Sequence, residues 1–118
     1  MRDHTKLRAF ELADQLALEV YRATSTFPRE EIFGLTSQMR RAAVSVPSNI
    51  VEGCGRHTEA DYLRFLDISN GSAREVQYQV TLAFRLGFLP KETYSSLKKL
   101  ADETARVLNG LIHGIRKK

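Results

Sequence analysis

The sequence predicts an all-α fold, an antiparallel up-down-up-down four-helix bundle formed by a single domain over residues 1–118. Three observations predict it. Apolar residues recur at three- and four-residue spacing in four separate segments, Gly and Pro gather between those segments, and no run alternates apolar and polar residues as a half-buried strand does. Four helices of roughly 20–28 residues, each ~30–40 Å long, use up nearly the whole chain and leave no room for a second domain.

The first helix is expected over about residues 5–26. Ala9, Leu12, Ala13, Leu16, Ala17, Val20, Ala23 and Thr24 form one apolar stripe. Phe27–Pro28 ends it, because proline disfavours the α conformation of the residue before it. Phe33-Gly34-Leu35 reads as the entry to a second helix over 35–54, with Thr36 or a neighbour as its cap. Leu35, Met39, Ala42, Ala43, Val46 and Ile50 share one side of that helix. Pro47 sits among them and removes the bond to the Ala43 carbonyl, which bends or breaks the helix. Apolar spacing continues in phase beyond the proline and favours a bent but continuous helix.

Thr58, with Glu59 and Asp61 in the following turn, is a capping-box variant that opens a third helix over 59–87. Its stripe is Tyr62, Phe65, Leu66, Ser69, Ala73, Val76, Val80, Ala83 and Leu86. Pro90 suits the first turn of a fourth helix over 90–115, where Tyr94, Leu97, Leu100, Ala101, Thr104, Leu108, Leu111 and Ile115 repeat.

Two features exceed the needs of a simple monomeric bundle. The third helix carries Leu63, Ile68, Tyr78, Leu82 and Phe84 off its main stripe, which reads either as an interface between copies or as a wider core face. The second helix carries a polar stripe of Gln38, Arg41, Ser45, Asn49, Glu52 and Arg56. A hairpin turning near residues 56–57 sets Gln38 opposite Glu75 and Arg41 within one turn of it, as a partly buried ion pair. A register-setting network is the simpler reading of this stripe; a ligand site is the other.

Charge is unevenly spread. Eighteen Lys and Arg against fourteen Asp and Glu give +4 overall, yet residues 1–84 carry −1 and residues 85–118 carry +5. Such asymmetry suits a nucleic acid or another anionic surface, as well as a solvated helix face with a basic tail. Lys98, Lys99, Arg106, Arg116, Lys117 and Lys118 are the candidate contacts. Only Tyr62 and Tyr94 offer themselves as exposed aromatics, so binding would be led by phosphates and sensitive to salt.

Several chemistries find no support. The lone Cys54 makes no disulfide framework, and with His57 it forms a Cys-x-x-His pair lacking further ligands; a buried thiol is the simpler reading. No serine lies in a nucleophile elbow, and Gly53-x-Gly55 follows a helix rather than a strand. The expectation is a protein with no catalytic residue, metal or cofactor. No apolar run reaches the roughly 18 residues of a membrane span, and the first residues are mixed and polar, which reads as cytoplasmic with no membrane partner.

The residues from Phe27-Pro28 to Phe33-Gly34-Leu35, then Gln38 to Gly53 with Arg40-Arg41, Ser45, Pro47, Asn49 and Glu52, then Arg56, form a distinctive run. With Phe65-Leu66, Ile68-Ser69, Gly71-Ser72 and Glu75 it resembles the four-helix-bundle proteins related to 23S rRNA intervening-sequence proteins. Phe10 departs from the pattern, standing where many relatives carry tryptophan. The resemblance implies a ring-like homopentamer without catalytic residues, some relatives being encoded inside ribosomal RNA genes. It also implies distant kinship with accessory proteins of diversity-generating retroelements, which join a reverse transcriptase and bind nucleic acid. Arg40 enters the set of structural or subunit-contact residues through this likeness. The functional expectation is a homo-oligomer that contacts RNA or an RNA–protein complex; the alternative is a protein-interaction scaffold with no nucleic-acid role.

Overall fold

Asp3 shapes the first turn of the chain by a local choice. Its carboxylate accepts from the Thr5 N–H at 3.0 Å and from the Thr5 hydroxyl at 2.6 Å, closing a short 3-10 turn over His4–Lys6. Such side-chain bonds compete with helix formation. Leu7 is extended, so the first helix, α1 (Arg8–Thr24), starts three residues later than the sequence suggests. The computed structural model describes residues 2–118, and Met1 of the expected domain lies outside them. Among the described residues there are four α-helices and no strand.

The second helix, α2 (Leu35–Cys54), has the expected bounds but a different cap. Gly34 occupies the cap position, and the Glu31 carboxylate, from the preceding 3-10 turn, accepts the Leu35 N–H at 2.9 Å. Thr36 is buried in the first turn instead of capping it. The helix runs unbroken through Pro47, which is itself buried. Neighbouring carbonyls receive side-chain donors: the Ser69 hydroxyl bonds the Val46 carbonyl at 2.7 Å, and the Asn49 amide bonds that of Ser45 at 2.8 Å.

The third helix, α3 (Glu59–Arg85), is capped by Thr58, whose hydroxyl accepts the Asp61 N–H. Gly87 takes φ +82°, where a side chain is disfavoured. Its N–H bonds the Phe84 carbonyl while the Phe88 N–H bonds that of Ala83, so the last turn closes on itself. The fourth helix is α4 (Lys91–Arg116), with Pro90 one position before it.

Each helix lies beside two others, in the cycle α1–α2–α3–α4–α1, while no Cα of α1 comes within 8 Å of one in α3, nor any of α2 within 8 Å of one in α4. Leu16, Val20, Met39, Val76, Val80 and Leu97 fill one end of the core. Val46, Ile50, Leu66, Leu108 and Ile112 fill the other, together with Cys54 and Tyr62. α2 and α3 approach closely at Gly53: a Cβ built there would lie 3.0 Å from the Phe65 Cβ.

The Cys54–Tyr62 end is closed by the N-terminus. The Arg2 N–H bonds the Cys54 carbonyl at 3.1 Å, and the Arg2 guanidinium lies 3.9 Å from the Tyr62 ring centre. Burial pushes the Cys54 thiol up from its ordinary value and the Tyr62 phenol up to about 12. Both groups are therefore held neutral by the fold. Their contribution to stability is complete below the unfolded value of the thiol, 9.0, and is lost as pH rises through it toward 12. For Tyr62 alone the loss amounts to about 2–3 kcal/mol. Denaturant unfolding across that alkaline range checks it, and Tyr62→Phe should flatten most of the decline.

Candidate functional site

Two surfaces carry the residues that the sequence singles out. The first covers α2 and α3. Arg41 meets Glu75 at 2.6 Å and also donates to the Gln38 side-chain oxygen at 3.1 Å; Gln79 donates to the same Glu75 carboxylate. Ser72 donates to the Ser45 hydroxyl at 2.8 Å, and Asn49 donates to that same oxygen. Glu52 pairs with Arg56, whose guanidinium rests 4.6 Å from the Phe65 ring centre. Gln38, Arg41, Ser45, Asn49, Glu52, Arg56 and Glu75 thus lie along one face.

The ion pair is more exposed than expected. The Arg41 and Glu75 side chains are 56% and 38% accessible. A pair so wet contributes about 0–1 kcal/mol and marks register more than it stabilises. Arg40 lies elsewhere, on the α1 side. It donates to the Thr24 hydroxyl at 2.8 Å and sits 4.6 Å from the Tyr21 ring centre. Gln79 keeps a buried side-chain oxygen with no donor.

The second surface runs between α3 and α4. Lys98, Lys99 and Arg106 border one hollow on α4; Arg106 also enters a groove of about 270 Å³ with Arg74, Asn70, Gln77 and Asn109. Arg85 and Lys91 lie at the end where α3 leads into α4. Arg116, Lys117 and Lys118 lie at the other. Not all of these cations are free. Lys98 pairs with Asp102, Arg116 with Asp67, and Arg106 approaches Glu103 at 3.9 Å. Burial pushes the Asp102 carboxyl up, but hydrogen bonds from Lys98 and Gln77 outweigh it and hold the group below the ordinary carboxylate range. One negative charge therefore stays in the middle of the basic strip. Lys99, Lys117 and Lys118 are exposed, with no carboxylate within 4.0 Å among the described residues.

Sequence reasoning missed Arg74 and the amides facing it. Their signal was faint: Asn70, Arg74 and Gln77 recur at helical spacing along the back of the third helix, where an unpatterned polar residue reads as solvent-facing. The aromatic expectation needs correction. Tyr62 is buried at 3% exposure because it closes the end of the core, and Tyr94 is half-buried, stacked on Phe84 with ring centres 4.1 Å apart. The exposed aromatics are Phe33, Tyr78 and Tyr21. Of the off-stripe residues of α3, Ile68 and Tyr78 are exposed, whereas Leu63, Leu82 and Phe84 are half-buried.

Among the described residues no three His, Cys, Asp or Glu side chains converge on one point. A hollow of about 610 Å³ between α1 and α4 is lined by no histidine or cysteine, and its Glu19 and Arg22 pair with each other. No helix is long and apolar enough to cross a membrane.

Four helices in a closed cycle, with polar and basic strips on their outer faces, define a helical-bundle protein whose surface rather than its interior carries its distinguishing residues. The sequence model of the family described as 23S rRNA-intervening sequence protein matches residues 5–110, and the chain belongs to that family. A crystal structure of a protein of unknown function from the S23 ribosomal protein family of Bacteroides thetaiotaomicron has the same fold. It superposes with a TM-score of 0.81 at 22% identity, covering 89% of this chain and 95% of that one. No curated protein matches the chain.

Proposed function

We propose that this protein is a non-enzymatic, cytoplasmic RNA-binding bundle. Its helices alternate up and down, and it works as a ring-like homo-oligomer, pentameric as the family likeness implies. The observation that carries the RNA reading is the strip between α3 and α4, where Arg74 and Arg106 share a groove with three amides and Lys98 and Lys99 continue the charge. Phosphates would supply affinity, and the amides of Asn70, Gln77 and Asn109 would add hydrogen bonds to sugar or phosphate oxygens. No exposed aromatic lines the groove, so single-stranded bases have nothing there to stack on.

The test is fluorescence anisotropy of structured RNA against the protein over a salt series. The expected result is a log–log loss of affinity with a slope of about −0.9 per phosphate neutralised. No binding even at low salt would overturn the reading. A second reading, a scaffold for a protein partner such as a reverse transcriptase, is favoured by Phe33, which is 94% exposed. Co-purification of such a partner by an RNA-silent protein would decide for it.

A further inference from the structure

Two of the chain's three asparagines stand immediately before glycine, Asn70-Gly71 on α3 and Asn109-Gly110 on α4. Both of these asparagines line the groove that holds Arg74 and Arg106. Neither glycine packs against a neighbouring element: a Cβ built on Gly71 or Gly110 meets nothing within 4 Å beyond its own turn of helix. Both are exposed in mid-helix, and neither has a positive φ. Glycine in such a place weakens a helix relative to alanine. Nothing inside the chain requires its small size there.

The two dipeptides stand level. Gln77 of α3 bonds Asp102 of α4 at 2.9 Å, and Asp67 pairs with Arg116. Counting inward from these pairs sets Asn70 beside Asn109, Gly71 beside Gly110 and Arg74 beside Arg106, each to within about a residue. The groove therefore has two rows. One holds an arginine from each helix, and the next holds an Asn-Gly pair from each, one helical turn or about 5.4 Å away. The small side chain of Ala105 lines the seam between them. At about 270 Å³ the groove is smaller than the roughly 300–1,000 Å³ of a small-molecule pocket, and it suits one link of a polymer better than a free ligand.

We propose that this groove is a subsite for one ribose–phosphate unit of an RNA strand. The phosphate lies between Arg74 and Arg106, the 2′-hydroxyl meets Asn70 and Asn109, and the strand rests on the bare helix backbone at Gly71 and Gly110. The proposal rests on the RNA reading above and names the sugar that the site selects. Each row matches its half of the unit. Phosphate oxygens only accept and guanidinium groups only donate, so the arginine row takes the phosphate. A ribose hydroxyl both donates and accepts, as a side-chain amide does, so the asparagine row takes the sugar. Gln77 already donates to Asp102, which leaves Asn70 and Asn109 as the amides that turn to the ligand. Side chains at positions 71 and 110 would stand on the lips of the groove and hold a strand away from it. Glycine is the residue that lets a backbone and a ligand come together.

Anisotropy titrations with an RNA hairpin and the DNA hairpin of the same sequence, at matched salt, test this. The parent should prefer RNA by about three- to tenfold, the worth of a net hydrogen bond to the hydroxyl. Asn70→Ala with Asn109→Ala should bring RNA affinity down to that of DNA and leave DNA affinity unchanged. Gly71→Leu with Gly110→Leu should weaken both ligands about tenfold or more, the effect of a steric clash. No cation is removed, so the salt slope should stay that of the parent. Leucine favours helix over glycine and both positions are open, so unfolding should show a chain at least as stable as the parent. Ser37→Leu, on the exposed side of α2, is the control and should bind as the parent does. A parent that binds RNA and DNA equally, or a leucine pair that binds RNA as the parent does, overturns the subsite and leaves the RNA reading intact. A parent that binds neither hairpin at low salt overturns both.

Discussion

Gly53→Val should lower stability by about 1–3 kcal/mol, the cost of overpacking a filled interior. Replacing a helical glycine usually helps, because it removes backbone freedom from the unfolded chain. At Gly53 the sign reverses. The new Cβ would meet the Phe65 Cβ at 3.0 Å, the Tyr62 ring at 3.2 Å and the Tyr62 carbonyl at 3.3 Å. The last of these is backbone and cannot swing away. Valine adds two further methyl groups and is stiff about χ1, so α2 and α3 must separate at the end of the core that holds Cys54 and Leu66. Gly110→Ala is the counterpart: nothing lies within 4 Å of its Cβ, and it should stabilise by about 0.5–1 kcal/mol. Denaturant unfolding of both variants checks the pair, and equal effects would mean that the close contact is not what Gly53 serves.

Arg74→Glu combined with Arg106→Glu should produce the largest functional loss. Both side chains border one groove, so reversing them replaces two attractions for phosphate by two repulsions. The salt dependence of RNA affinity should become shallower by about 1 for each contact removed. Asp102→Asn should act in the opposite direction. It deletes the anion between the cations, releases Lys98 from its 2.6 Å pair, and should tighten binding. Opposite signs from neighbouring residues are hard to obtain from misfolding. Arg22→Glu, which changes charge by the same amount on α1, should leave affinity near that of the parent. Anisotropy titrations of the four proteins at matched salt provide the measurement.

The helices were legible because their periodicity is strong. The bounds of α2 match those expected, and the cap of α3 is the threonine expected. Gly34 was harder to read as a cap, since the group that serves its helix is the side chain of Glu31, supplied from another turn. The α2–α3 register was legible to within a turn. Arg41, within one turn of the expected position, stands opposite Glu75 in place of Gln38, and Ser72 faces Ser45. The offset arises because the chain runs on through Gly55–His57 before reaching the Thr58 cap. Surface pairing was less legible. Arg40 adjoins Arg41 in sequence yet belongs to the opposite side of α2, a consequence of the 100° step between helical neighbours. Tyr62 was misjudged because an amphipathic side chain at a helix start fits both a wet rim and a buried end, and only the Arg2 strap decides between them.

That strap makes the single thiol a clock for local opening. Cys54 is 2% exposed and its ionisation is resisted, so a thiol reagent can label it only when the N-terminus lifts or the core parts. At high reagent concentration the labelling rate becomes the opening rate of that end of the bundle. Arg2→Ala removes the guanidinium over Tyr62, and it should speed labelling several-fold with little change in global unfolding. Without any engineered probe, the chain thus carries a stopwatch for how often one end comes undone.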